Sequence, residues 1–313
     1  MRSALHSVIV SKIRRSDADL VCFQFGTLAA ELGRDIVRIE KPFCLFHHGS
    51  DVNRAREDED YRRRLVDVWE HAEKIFFVSE FLRRVAIGLG APATKCEVRY
   101  LGVPLPERTT CSSSEERKDS TFRFVSLARM VPVKNHRILV QGFARFLQRS
   151  ETLSELLLIG SGEEEAAVRN EVQRLGIEKW VRFAGAMEST RAMEELSHSD
   201  VIVLVSRIYR IPGTMLQEEA LGISLLEGAI RGLPMIGAKT GGIPEIVRDG
   251  ETGFLVDPND PESIAEAMLR MAHEPELRKK MGENAQKMTR ESFDILDRMK
   301  QIENDLISLA EVP

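Results

Sequence analysis

The chain has 313 residues, with 44 Lys and Arg against 49 Asp and Glu, and 43% of its residues are hydrophobic. That length exceeds the roughly 250–300 residues at which a single core stops growing, so two domains are expected. No apolar run reaches the ~18 residues of a membrane-spanning helix, the N-terminal apolar stretch is too short for a signal peptide, and 6% aromatics with no basic stripe exclude a nucleic-acid footprint. Four cysteines (Cys22, Cys44, Cys96, Cys111) show neither paired nor zinc-binding spacing, so reduced thiols in a cytoplasmic protein are expected.

In chain order, residues 19–25, 43–47 and 74–78 read as strands, with a highly charged helix over 55–72. Residues 1–105 carry 17 basic and 15 acidic residues, a slight positive excess over an otherwise acidic chain. A polar stretch from Glu107 to Thr121 reads as a linker. Beyond it, strands and helices alternate. Residues 122–127, 155–159, 181–184, 200–206 and 233–237 are strands, with an amphipathic helix over 136–149 and another ending at Gly176. Repeated β-α-β units predict a parallel, doubly wound sheet. Such sheets bind ligands beyond the C-terminal ends of their strands, and glycine-bearing turns follow both 155–159 and 233–237. Residues 290–310 predict a final helix.

The most informative run is Glu218-Glu219-Ala220-Leu221-Gly222-Ile223-Ser224-Leu225-Leu226-Glu227. A mostly polar loop separates it from strand 200–206, and a helix is expected to start near Gly222. The N-terminus of such a helix suits an anion such as a diphosphate. A second reading stands beside this one: Ser224-Leu-Leu-Glu227 also fits a capping box, which needs no ligand. Three further groups accompany the run: Gly241-Gly242, Arg129 with Lys134 after strand 122–127, and His48-Gly49-Ser50-Asp51 after strand 43–47. His47 adjoins His48, and strand alternation places the two on opposite faces. Gln24-Phe25-Gly26 ends another strand, and Ser79 reads as a helix cap. The pairs Asp17-Ala-Asp19 and Asp58-Glu-Asp60 read as solvated surface rather than a metal site.

Together these groups resemble the retaining glycosyltransferases of GT-B fold, of the large group-1 (family 4) type, nearest to the exopolysaccharide and colanic-acid hexosyltransferases. The resemblance implies an α/β fold of two Rossmann-like domains, the first incomplete. Its expected bounds are an acceptor-side domain over 1–105, a linker over 106–121, a donor-binding domain over 122–289 and a C-terminal helix over 290–313 that packs back toward the first domain. It implies transfer of a hexose from a UDP- or GDP-hexose to a glycan or lipid-linked acceptor with retention, with no cofactor and no metal. Glu219, His48, Arg129 and Lys134 are the implied catalytic residues. Arg129, Lys134, Gly222, Ile223, Ser224, Leu225, Glu227, Gly241 and Gly242 are the implied donor-binding residues. The seven-residue spacing to Glu227 selects Glu219 over Glu218, which is expected to be solvated, and Glu227 is assigned to the ribose hydroxyls. Gln24-Phe25-Gly26 resembles the family's acceptor-side loop.

The chain departs from the family at its front. The His-Gly-x-Asp turn arrives at residue 48, earlier than the opening strands of the family allow. That predicts an exposed sheet edge, with self-association or a partner chain at the short first domain. Peripheral contact with the inner face of the membrane is expected, and nucleic acid is not. Two alternatives compete: a non-catalytic nucleotide-sugar-binding subunit or truncated remnant that needs a partner chain, and a sugar-nucleotide epimerase of the same fold, for which the first domain lacks a clear carboxylate pair.

Overall fold

The computed structural model describes residues 2–106, 121–211 and 215–311. Residues 107–120 of the expected linker, Cys111 among them, lie outside the described residues. The chain divides into two compact units: Met1–Leu101 with Tyr209–Ala220 and Leu296–Pro313, and Gly102–Ile208 with Leu221–Ile295.

The first unit is built on a parallel four-stranded sheet, in the order β1 (Val21–Gln24), β2 (Phe43–His47), β3 (Lys74–Phe77), β4 (Cys96–Val98). All five residues of β2 are buried, as a central parallel strand covered on both faces requires. The charged helix begins at Glu59, four residues later than the hydrophobic pattern places it. The cause is Asp58, whose carboxylate accepts from the N–H of Tyr61 and caps the helix; a separate short helix, Ser50–Ala55, precedes it. Asp58 also receives the Arg54 guanidinium. Ser79 caps the helix Glu80–Gly88 by accepting from Leu82 N–H. The final helix runs Ile295–Ala310 rather than from 290, because residues 290–292 complete the preceding helix Pro275–Ser292. Its Leu309 packs with Cys44, Phe46 and Phe76, and its Asp305 pairs with Arg99.

The second unit carries a parallel six-stranded sheet: β5 (Phe122–Leu127), β6 (Ser154–Ile159), β7 (Val181–Gly185), β8 (Val201–Leu204), β9 (Met235–Ala238) and β10 (Gly253–Val256). Their order across the sheet is β10-β9-β8-β5-β6-β7, every pair parallel. The helix His136–Arg149 buries Leu139, Val140, Phe143 and Phe146 against β5 and its neighbours. The chain winds outward from β5 in one direction and from β8 in the other. The topological switch point therefore lies between those two strands, where open α/β sheets form a crevice at their carboxyl ends.

The stretch 207–221, read from sequence as a polar loop, contains a short antiparallel pair, Tyr209–Ile211 with Met215–Gln217. This segment groups with the first unit although it lies inside the span 122–289 in sequence. Among the described residues, no helix is long and apolar enough to cross a membrane.

Candidate active site

Arg129 and Lys134 sit in the connection leaving β5, on one side of the switch point. The shape of that connection is set by backbone packing against the next turn. Met130 N–H donates to Ser161 O at 2.9 Å, and Glu164 N–H donates to Met130 O at 2.9 Å. A side chain at Gly160 would meet Ala128 O at 2.1 Å, and one at Gly162 would meet Met130 O at 2.3 Å. The glycines after β6 thus serve the close approach of the Arg129 loop. Arg129 is exposed and Lys134 half-buried. Asn135, which follows, is left-handed at φ 61° and buried, and its amide donates to Val205 O and Pro258 O at 3.2 and 2.7 Å. It ties the loop to the exit of β8 and to the segment after β10.

The connection leaving β8 supplies the other side. Gly222 adopts φ 97°, a conformation that favours glycine, and precedes the helix Ile223–Ala229. Gly222 is the helix cap, and no side chain among the described residues caps this end. The capping box Ser224–Glu227 is therefore not formed, and that reading falls. Ile223 and Ser224 are half-buried, whereas Leu225 is a core residue whose N–H donates to Gly222 O at 2.9 Å. Glu227 is half-buried in the following turn. Burial pushes its carboxyl above the ordinary carboxylate range, and the nearby Arg231 guanidinium opposes the shift. The turn after β9 brings Gly241 at φ 58° and then Gly242, whose φ of −85° any residue could adopt.

The remaining candidates belong to the first unit, and the structure brings them together there. His48 and Gly49 follow β2, and a side chain at Gly49 would lie 2.9 Å from the methyl of Ala220, the residue after Glu219. The methyl at 220 is tolerated because position 49 is glycine, at φ 122°. Asn53 donates to Glu218 O at 3.1 Å, and Arg56 donates to the Glu218 carboxylate at 2.6 Å. The Glu218 side chain is only 5% exposed. It is an anchored ion-pair partner, contrary to the expectation that it is solvated, and Glu219 next to it is half-buried.

The two adjacent histidines have different fates. His47 is fully buried and His48 half-buried. His48 Nε2 meets Gln24 Oε1 at 2.9 Å, and its ring lies 4.6 Å from that of Phe25. Burial lowers its readiness to protonate, partly offset by Asp51. Asp51 is the residue whose role sequence reading left unassigned. Its carboxylate accepts from His47 Nδ1 at 2.5 Å and from the N–H groups of Gly26, Val52 and Gly49 at 2.7, 3.0 and 3.3 Å. Burial opposes its charge, but His47 and these N–H groups outweigh burial and hold it at about 2. The motif spacing marked Asp51, yet its partners at positions 26 and 47 became visible only once β1 and β2 were paired.

Comparison with other proteins bears on the family and the fold. The family profile "Glycosyl transferases group 1" matches residues 107–288. N-acetyl-alpha-D-glucosaminyl L-malate synthase from Bacillus anthracis is 32% identical over 298 residues, which are 93% of this chain and 74% of that protein. The amylovoran biosynthesis glycosyltransferase AmsK from Erwinia amylovora is 23% identical over 271 residues, 86% of this chain and 65% of that protein. The crystal structure of Anabaena Alr3699/HepE in complex with UDP superposes with a TM-score of 0.84 at 20% identity, covering 97% of this chain and 82% of that one. The profile spans more than half the chain and takes in the Arg129 loop, the Glu219–Glu227 run and the turn after β9, so this chain belongs to the group 1 glycosyltransferases, with the GT-B fold.

Proposed function

We propose that the protein transfers a hexosyl group from a nucleoside-diphosphate sugar to the hydroxyl of a glycan or lipid-linked acceptor, with retention of configuration and without a metal ion. The observation that carries this reading is the convergence at the switch point of the second unit. The Arg129–Lys134 connection, the glycine-capped start of Ile223–Ala229 and the turn at Gly241 all follow β5, β8 and β9 at their carboxyl ends. Arg129 and Lys134 take the diphosphate, and the N–H groups of the first helical turn add to them. Glu227 takes the ribose hydroxyls. UDP is the first nucleotide to test, because a solved protein of the same fold was crystallised with UDP and with UDP-glucose.

In the reaction, the bond from the sugar's anomeric carbon to the diphosphate oxygen breaks. The acceptor oxygen bonds to that carbon on the same face, and a donor phosphate oxygen takes the acceptor's proton. The nucleoside diphosphate leaves with its added charge stabilised by the two cations. Glu219 and His48 hold the transferred sugar. One relative is named for synthesis of N-acetyl-alpha-D-glucosaminyl L-malate and another for amylovoran biosynthesis, so the acceptor panel includes small hydroxy acids as well as glycans.

Calorimetry with UDP, GDP and ADP tests the donor side, on the natural protein and on Glu227→Ala. The expected loss on substitution is about tenfold in affinity, or roughly 1.4 kcal/mol, with unchanged melting temperature. Unchanged affinity would remove Glu227 from the site. Product analysis by NMR tests retention, and an inverted anomer refutes it. Activity lost in EDTA and restored by Mn²⁺ would refute metal independence.

A further inference from the structure

We propose that Trp69, His47 and Asp51 form a buried positioning device that sets the side chain of His48, with His47 as the positioning residue. The inference rests on the assignment of His48 to the transferred sugar. Trp69 Nε1 donates to His47 Nε2 at 2.8 Å. An indole nitrogen can only donate, so Nε2 of His47 carries the lone pair and its proton is on Nδ1. That proton points at Asp51 Oδ2, 2.5 Å away. All three side chains are 1% exposed or less, so each polar atom needs a partner, and each has one.

The device grips two turns at once. Asp51 Oδ2 also accepts from Gly26 N–H, in the turn after β1, while Oδ1 accepts from Gly49 N–H, in the turn after β2. The His47 ring packs directly on Gly26: a side chain there would approach its Cε1 to 2.6 Å. Two neighbours of His48 stand at the first turn, Gln24 closing β1 and Phe25 following it, and His48 itself lies on the second. Phe25 sits at φ 68°, a conformation that a side chain rarely adopts. The Gly26–Asp51 bond just after it holds the chain there. With Phe25 in place, its ring flanks His48 and the Gln24 carbonyl accepts from His48 Nε2. That bond leaves Nδ1 of His48 as the nitrogen able to accept. An apolar residue would fill the buried end of β2 equally well, but it would leave Asp51 short of one donor and Trp69 without an acceptor.

The test uses the full chain with four substitutions, His48→Ala among them. His47→Phe keeps a ring and removes both hydrogen bonds. His47→Asn restores a donor near the Nδ1 position. Trp69→Phe removes only the bond to Nε2, and serves if His47→Phe does not fold. Turnover is followed as UDP release from UDP-glucose, and the His48 tautomer by nitrogen-15 NMR of labelled imidazoles. For His47→Phe the expected result is a kcat at least tenfold lower, with KM and Kd for the nucleotide within twofold. His48 should lose its fixed Nε2–H tautomer. His47→Asn should recover most of both. A His47→Phe protein with kcat within twofold and an unchanged His48 tautomer would overturn the proposal. If His48→Ala proves fully active, the catalytic reading of His48 falls, while the tautomer measurement still decides whether His47 positions it.

Discussion

The two units shape their functional turns by opposite means. In the first, a buried carboxylate gathers the turns: Asp51 binds N–H groups from residues 26, 49 and 52. In the second, the turns are shaped by backbone against backbone, with Gly160 and Gly162 pressed on the Arg129 loop and with Gly222 and Gly241 in left-handed conformations. One buried histidine from each unit makes the contrast plain. Both ring nitrogens of His47 are bonded, whereas neither nitrogen of His136 has a hydrogen-bond partner among the described residues. A turn organised by buried charge depends on every partner of that charge. A turn organised by glycine and backbone does not depend on a charged side chain for its shape.

The contrast is broken most directly at Asp51. Asp51→Ala strips the network of its centre and leaves the buried donors of Gly26 and His47 without their acceptor, at a cost of about 1–3 kcal/mol for each stranded donor, measured by denaturant unfolding. Nucleotide binding by the second unit should persist. A loss under 1 kcal/mol would mean that the turns hold themselves.

Arg129→Ala and Lys134→Ala should act in the reverse way. Each is expected to lower kcat by about 10²–10³-fold, as removal of a group that stabilises developing charge does, with melting temperature nearly unchanged. A large fall in stability instead would show that these cations shape the loop.

His136 makes the second unit sensitive to acid. Burial, and secondarily Lys134 beside it, depresses His136 from an ordinary value near 6.5 to about 4. Between those values the unfolded chain takes up a proton that the folded chain refuses. Stability is therefore full above pH 6.5 and falls as the pH drops toward 4, by about 3 kcal/mol at most. His136→Leu should flatten that slope in thermal melts taken from pH 7.5 to 4.5. An equal slope in the variant would assign the acid sensitivity elsewhere.

The smallest effect separates glycines that the backbone requires from those it does not. Gly222→Ala should cost about 1 kcal/mol for its left-handed conformation, while Gly242→Ala, at φ −85°, should be neutral in stability. Equal melting temperatures for the two variants would contradict the backbone account of these turns.

Much of the second unit was legible in the amino-acid order. Parallel strands covered on both faces read as continuous apolar runs, so 122–127, 155–159 and 200–206 announce themselves, and a glycine at 176 stops a helix wherever it packs. Motif spacing singled out Glu219, Glu227, Arg129, Lys134 and His48 before any contact was known. What local sequence could not decide was which residues answer one another across the chain. Whether Ser224 and Glu227 form a box depended on where Gly222 capped the helix, and whether Glu218 is solvated depended on Arg56, 162 positions away. Sequence alone settled the alternation of strands and helices and marked the candidate residues, because the first follows from local periodicity and the second from motif spacing. Only the tertiary structure decided that His47 is a bonded histidine and His136 an unbonded one, because a buried polar atom is satisfied by partners that strand pairing brings to it, and no local pattern encodes them.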